Sequence, residues 1–186
     1  MQAIVFDFFG VICSEITPFV LPRYMSAEAA VAYKASVVER ADLGEIDLPQ
    51  VLEHLSHLTG ATPAQLEAEF WACVKIDPAM VALIDSLRGR TKTALLSNAM
   101  RPFLRQVLDQ HDLPRRFDAM VISYEEGLTK PNPVIFRLMA DRLGVPVQAC
   151  FFTDDSSINI DAARACGMQA ALFTGIEQLK RDLAAL

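Results

Sequence analysis

Apolar positions follow two different patterns along this chain. Ala3-Ile4-Val5-Phe6 is an unbroken run of strand formers, interrupted by the single carboxylate of Asp7 and resumed by Phe8-Phe9-Gly10-Val11-Ile12. A run without polar alternation reads as a strand covered on both faces, as in a parallel sheet. From about Ser14 to Asp77 only helical signals remain. Ser26 to Arg40, rich in Ala and Glu, predicts a helix opened by a Ser cap. The stretch from Ala41 to Asp47 predicts a turn. Asp47 then caps a helix with Pro49 in its first turn, carrying Val51, Leu52, Leu55 and Leu58 and ended by Gly60. Thr62-Pro63-Ala64-Gln65 is a capping box that opens a helix with Leu66, Phe70, Trp71 and Val74.

Beyond Pro78 helix and strand signals alternate. Helices are predicted over 79–87, from Pro102, from Asn132-Pro133 to Gly144, from Ser156 or Ser157 to Gly167, and from about Ile176. Strands are predicted over 91–96, 117–122, 150–153 and 169–173, with Glu125 to Pro131 as a loop. Such alternation implies an α/β protein with a Rossmann-like, doubly wound parallel sheet. Residues 1–13 and 78–186 form the expected core, and 14–77 an inserted α-helical cap subdomain. The insert leaves directly after Asp7, at the end of the sheet where ligands bind, so it is expected to cover the site.

Composition narrows the picture. The chain has 186 residues, 52% of them hydrophobic, enough for one real core with or without an insert. A net charge of −6 with no basic tract argues against nucleic acid as a partner. Cys13, Cys73, Cys150 and Cys166 form no Cys-x-x-Cys pair and read as reduced thiols, so a cytoplasmic location is expected. The N-terminal apolar stretch lacks a basic flank and is broken by Asp7. It is expected to be neither a signal peptide nor a membrane span.

The predicted strand ends, or the loops after them, carry Asp7, Ser97-Asn98, Lys130 and Asp154-Asp155. In a parallel sheet these face one crevice. The set suits phosphoryl transfer. A carboxylate can act as nucleophile, carboxylates and a carbonyl suit Mg²⁺, and hydroxyl, amide and ammonium groups can hold phosphoryl oxygens.

These residues resemble the haloacid dehalogenase (HAD) superfamily of hydrolases. Phe6-Asp7-Phe8-Phe9-Gly10-Val11-Ile12 is similar to its motif I, Leu95-Leu96-Ser97-Asn98 to motif II, Lys130-Pro131 to motif III, and Phe151-Phe152-Thr153-Asp154-Asp155 with Asn159 to motif IV. The insert resembles the helical C1 cap of subfamily I. The resemblance implies Asp7 as nucleophile, and Mg²⁺ held by Asp7, the Phe9 carbonyl and Asp155. It implies phosphoryl binding by Ser97 and Asn98, and neutralisation by Lys130 with Asp154 and Asn159 behind it. Spacing to Asn159 favours Asp155 over Asp154 as the metal ligand.

One position departs from the family. Most of its phosphatases carry a second Asp two residues after the nucleophile, as the proton donor; here it is Phe9. Three readings remain open. The first is a phosphatase of a small phosphorylated metabolite whose acid comes from elsewhere, the cap or solvent, or whose substrate has a good leaving group. The second is a 2-haloacid dehalogenase-like hydrolase without metal, which needs no leaving-group acid but lacks a paired Asp at motif IV. The third is a non-catalytic binding protein. Of the remaining polar residues, His54, His57 and His111 read as surface groups, Glu125-Glu126 as solvated charge and Cys13 as a buried thiol. Arg23, Tyr24 and Arg40 are candidates for substrate selection from the cap, and Trp71 reads as cap core.

Overall fold

In the computed structural model, which describes residues 1–186, the N-terminal apolar run becomes the central strand β1 (Ala3–Phe6), buried along its whole length. Around it lie β2 (Lys92–Ser97), β3 (Ala119–Ile122), β4 (Cys150–Asp154) and β5 (Gln169–Leu172), in the order β3-β2-β1-β4-β5 with every neighbouring pair parallel. Strand order reverses at β1, which is where a doubly wound sheet opens its ligand crevice. The register sets what meets there. Phe6 pairs with Leu95 on one side and Thr153 on the other, so Asp7 emerges level with Asp154. The Asp7 amide extends the ladder by one bond, donating to the Thr153 carbonyl at 3.0 Å.

Between β1 and β2 the chain forms only helices: α1 (Thr17–Val20), α2 (Ala27–Tyr33), α3 (Glu39–Asp42), α4 (Leu48–Thr59), α5 (Pro63–Ala72) and α6 (Pro78–Leu87). Both predicted capping boxes are present, Asp47 with Gln50 and Thr62 with Gln65. Ser26 caps α2 by accepting from the Ala29 amide. A π-helical turn, Lys34–Val38, joins α2 to α3, so a single rod runs from Ala27 to Asp42. Ala41 and Asp42 therefore belong to a helix and not to the predicted turn. The break comes at Gly44, which has φ of +79° and lies so close to the Tyr124 carbonyl that a Cβ would stand 2.6 Å from it. Only glycine meets both demands.

After β2 come α7 (Phe103–Gln110), α8 (Ser123–Glu126), α9 (Pro133–Leu143), α10 (Ser157–Ala165) and α11 (Ile176–Ala184). The single turn α8 takes in Glu125-Glu126, predicted as loop, and Gly127 closes it in the left-handed region. Strand β3 starts later than predicted, because a 3-10 turn at Pro114–Arg116 holds Phe117 outside the ladder. No helix is long and apolar enough to cross a membrane.

One face of the sheet packs on α9 and α10 through Ile135, Phe136, Met139 and Ile160. On the other face a continuous apolar cluster joins Phe8, Leu95 and Phe103 to Leu55, Leu66 and Phe70 of the helical segment. Phe103 is the joint: its ring lies 6.3 Å from Phe9, 6.1 Å from Phe70 and 5.0 Å from Trp71, centroid to centroid. Phe103→Ala should lower unfolding free energy by ~3–5 kcal/mol, the range for emptying a buried aromatic site, as read from urea midpoints. An unchanged midpoint would mean that the two segments are held together elsewhere.

Candidate active site

The strand ends converge on a cleft of ≈ 190 Å³ whose lining includes Asp7, Phe9, Asn98, Lys130, Asp155 and Asn159. Its centre is an ammonium held between two carboxylates. Lys130 Nζ lies 2.7 Å from Asp7 Oδ1 and 2.6 Å from Asp154 Oδ2, and all three residues are buried. The loop that delivers Lys130 is fixed from β2. Asn98 Oδ1 accepts from the Lys130 amide at 2.8 Å, and Asn98 Nδ2 donates to the Lys130 carbonyl at 2.9 Å. One Asn98 amide proton is left for the cleft. Ser97 is fully buried below the cleft floor, where its hydroxyl donates to the Asn98 carbonyl at 3.3 Å, and it does not line the cavity.

The two motif IV carboxylates sit in opposite situations. Asp154 is saturated: Oδ1 accepts from the Ser156 amide and Asn159 Nδ2, and Oδ2 from Lys130 and Asn159. Asp155 is exposed to the cleft. Its carboxylate lies over Gly10, where φ is +80° and a Cβ would stand 2.2 Å from Asp155 Oδ2. Asp7 is split between its two oxygens. Oδ1 accepts from both Lys130 and the Phe8 amide, at 2.7 Å each, while Oδ2 takes no hydrogen bond. The Phe9 carbonyl accepts no backbone hydrogen bond either.

Oxygens of Asp7, Asp154 and Asp155 lie within 4.8 Å of one another. Three carboxylates against one ammonium leave an excess of two negative charges when all are ionised. Burial pushes the Asp7 carboxyl well above its usual range, against the pull of Lys130, and Asp154 adds to the rise. Asp155 is raised by burial and then by Asp154. Burial alone would lower Lys130, but the Asp7 and Asp154 charges outweigh it and hold the ammonium above its ordinary value. The donor set is all oxygen and doubly anionic, which fits a small hard divalent cation.

The opposite wall comes from the helical segment and was not read from the sequence. Glu15, Lys34, Val38, Asp42 and Phe70 line it. Lys34, Val38 and Asp42 recur every four residues along one rod, a spacing that puts them on one side. Nothing in that spacing says which way the side faces. Burial pushes Asp42 up to about 7. Glu15 is raised by burial and then by Asp155.

The proposed selectors Arg23, Tyr24 and Arg40 do not reach the cleft. Arg23 and Tyr24 bond Glu69 at 3.2 and 2.6 Å, and Arg40 bonds Glu45 at 2.9 Å. Their sequence positions were right for the segment but their partners lie beside them on its surface. Trp71 packs edge-on against Phe103. Glu125 and Glu126 pair with Arg105 and Arg142 away from the cleft. His54 Nδ1 lies 3.3 Å from the Tyr33 hydroxyl, and His57 and His111 are exposed. Cys13 is buried, and burial raises its thiol above the ordinary value.

The chain is 26% identical over 114 residues to drimenol cyclase drtB of Aspergillus calidoustus, matching 59% of this chain and 22% of that protein. It is 23% identical over 171 residues to the sesquiterpene phosphatase astK of Aspergillus oryzae, matching 90% of this chain and 87% of that one. Among solved structures, a HAD family enzyme of Bacteroides thetaiotaomicron in complex with magnesium and inorganic phosphate superposes with a TM-score of 0.76 at 20% identity, covering 92% of this chain and 93% of that one. The family model for haloacid dehalogenase-like hydrolases matches residues 1–167. With that match over most of the chain, four of the five strands included, and the same fold in its structural neighbour, the chain belongs to the haloacid dehalogenase-like hydrolases.

Proposed function

We propose that this hydrolase is a Mg²⁺-dependent phosphatase of a small phosphorylated metabolite, working through a phosphoryl group carried on Asp7. The observation that carries the reading is the asymmetry of Asp7. One oxygen is tied to the Lys130 ammonium and the Phe8 amide, and the other is free in a cleft where three carboxylates meet one ammonium. A tethered carboxylate with one open oxygen is an oriented nucleophile. The relative named a sesquiterpene phosphatase, and the neighbour holding magnesium and inorganic phosphate, support the same reaction class.

Asp7, Asp155 and the Phe9 carbonyl are the residues to hold the cation. Asp155 is preferred to Asp154 because every acceptor position of Asp154 is already used. When bound, the cation supplies charge neutralisation for the incoming phosphoryl group. Asp7 Oδ2 attacks phosphorus. Lys130 neutralises charge on the non-bridging oxygens, where it builds up in the transition state. Asn98 holds the Lys130 backbone and offers its spare amide proton. Asp154 and Asn159 keep Lys130 aimed at the site. Ser97 supports Asn98 from below. The helical segment 14–77 acts as the cap that closes the cleft and selects the substrate. The paired Asp154-Asp155 site, which a metal-free dehalogenase does not need, speaks for phosphate over halide.

Purified protein with Mg²⁺ should release inorganic phosphate from a panel of sugar, nucleotide and aryl phosphates. It should release no chloride from a 2-chloroacid. Asp7→Asn should abolish phosphate release while leaving the fold intact, and substantial activity in that variant would refute the nucleophile. Chloride release without Mg²⁺ would favour the dehalogenase reading.

Binding can be read without turnover. Saturating Mg²⁺ should stabilise the native state by about 2.7 kcal/mol at a hundredfold excess over Kd, and so raise Tm by roughly 5–10 °C in a chain of this size. Asp155→Ala should remove most of that rise; an unchanged rise would move the ligand elsewhere.

Lys130→Met should strand two buried carboxylates and lower stability by ~3–5 kcal/mol near neutral pH. The loss should shrink as pH falls, because the Asp7 carboxyl, raised by burial, takes up a proton in the native state and part of the uncompensated charge disappears. A pH-independent loss would mean that packing, not charge, is what Lys130 provides.

A further inference from the structure

The phosphatase reading leaves one chemical need unmet, because an alkoxide leaving group needs a proton and Phe9 has none to give. The Phe9 ring is stacked with Phe103, part of the apolar joint between sheet and helices. The proton must come from another acid that reaches the cleft. Among cleft-lining residues, the acids outside the Asp7 and Asp155 cluster are Glu15 and Asp42.

Resting on the phosphatase reading, we propose that Asp42, brought to the cleft by the last turn of the Ala27–Asp42 rod, is the general acid and base of the reaction. It lines the same cavity as Asp7 and Lys130, from the opposite wall. It is part-buried, and no hydrogen bond or ion pair from the chain occupies its carboxyl group. An acid held by a partner would have to break that bond first; Asp42 does not. The rod that presents it carries a π-helical turn at Lys34–Val38, a distortion that recurs where a helix has to aim residues at a site. Glu15 is the weaker candidate. Burial and then Asp155, one of the proposed cation ligands, act on it.

The surroundings of Asp42 keep a proton available near neutrality. Burial is the main cause of its rise to about 7; Lys34 and Lys130 oppose it, and Glu39 and Glu15 add to it. The element packed on α3 from the core is α8. Its Glu125 and Glu126 are neutralised by Arg105 and Arg142. A carboxyl group with this affinity is protonated often enough to donate and ionised often enough to accept.

In the first half-reaction Asp7 Oδ2 forms a bond to phosphorus as the bond from phosphorus to the alcohol oxygen breaks. The Asp42 proton passes to that oxygen, and free alcohol leaves. In the second, Asp42 as carboxylate takes a proton from water as the water oxygen bonds to phosphorus. The Asp7–phosphorus bond breaks, inorganic phosphate departs and Asp42 is protonated again. One phosphate ester and one water give one alcohol and one phosphate.

The test is leaving-group dependence of kcat/KM, which reports only steps up to departure of the alcohol. Wild type and Asp42→Asn are compared on an alkyl phosphate and on an aryl phosphate whose phenolate leaves without a proton. Asp42→Asn should lose ~10²–10⁴-fold on the alkyl substrate, the usual range for a general acid, and at least tenfold less than that on the aryl one. In wild type, kcat/KM for the alkyl substrate should fall as pH rises through ~7, and this limb should be missing with the aryl substrate. The pH arm needs no variant and stands even if Asp42→Asn does not fold. Equal losses on both substrates, or the same wild-type pH limb for both, would overturn the proposal. So would an alkyl-selective loss in Glu15→Gln but not in Asp42→Asn. Each of these leaves phosphatase activity in wild type intact; if wild type hydrolyses neither ester, the phosphatase reading itself falls.

Discussion

The structure depends on one ammonium group shared between two carboxylates at the point where strand order reverses. Lys130 reaches 2.7 Å from Asp7 and 2.6 Å from Asp154 with its side chain almost wholly out of water. A charge in that setting is tolerable only with its partners in place, and the partners are tolerable only with it. The backbone is arranged accordingly. Parallel pairing of β1 with β4 sets Asp7 and Asp154 side by side. The two bonds from Asn98 to the Lys130 backbone fix the approach of the third member. What is left over is a free oxygen on Asp7 and, with all three carboxylates ionised, an excess of two negative charges, and the proposed function rests on these.

The sheet and its polar edge were legible because they rest on local signals. The run from Ala3 to Phe6 has no polar alternation, so a doubly covered central strand follows, and strand ends rich in polar residues must then collect at one end. Helix caps were equally direct: Asp47 with Gln50 and Thr62 with Gln65 both form the reciprocal bonds their spacing predicts. The separate behaviour of Asp154 and Asp155 was only half visible. Their adjacency was plain, but the saturation of one by Lys130, Asn159 and the Ser156 amide depends on contacts across the fold.

The helical wall of the cleft was not legible, and the reason is physical. A helix turns its residues through every direction, and which side meets the sheet is decided by packing and not by spacing. Arg23, Tyr24 and Arg40 had suitable chemistry but found acidic partners on their own segment. Lys34, Val38 and Asp42 are inconspicuous in the sequence and line the same cleft as Asp7. The rod also runs two residues beyond Arg40, where its sequence pattern ends. The true stop is Gly44, set by its approach to the Tyr124 carbonyl 80 residues away in the chain. Phe9 belongs to the same story. As a sequence symbol it marks a missing acid; in the fold its ring joins the Phe103 stack that seats the helices on the sheet.

In the proposed reaction the free oxygen of Asp7 takes the phosphoryl group. The direct measurement is to mix enzyme in excess over a hydrolysable phosphate ester with Mg²⁺, stop the reaction in acid within the first turnover, and map the added mass by peptide sequencing. One phosphoryl group is expected on the peptide from the first strand, localised to Asp7. A phosphoryl group on another residue contradicts it. So does phosphate released in the first turnover with no protein-bound phosphoryl at any quench time.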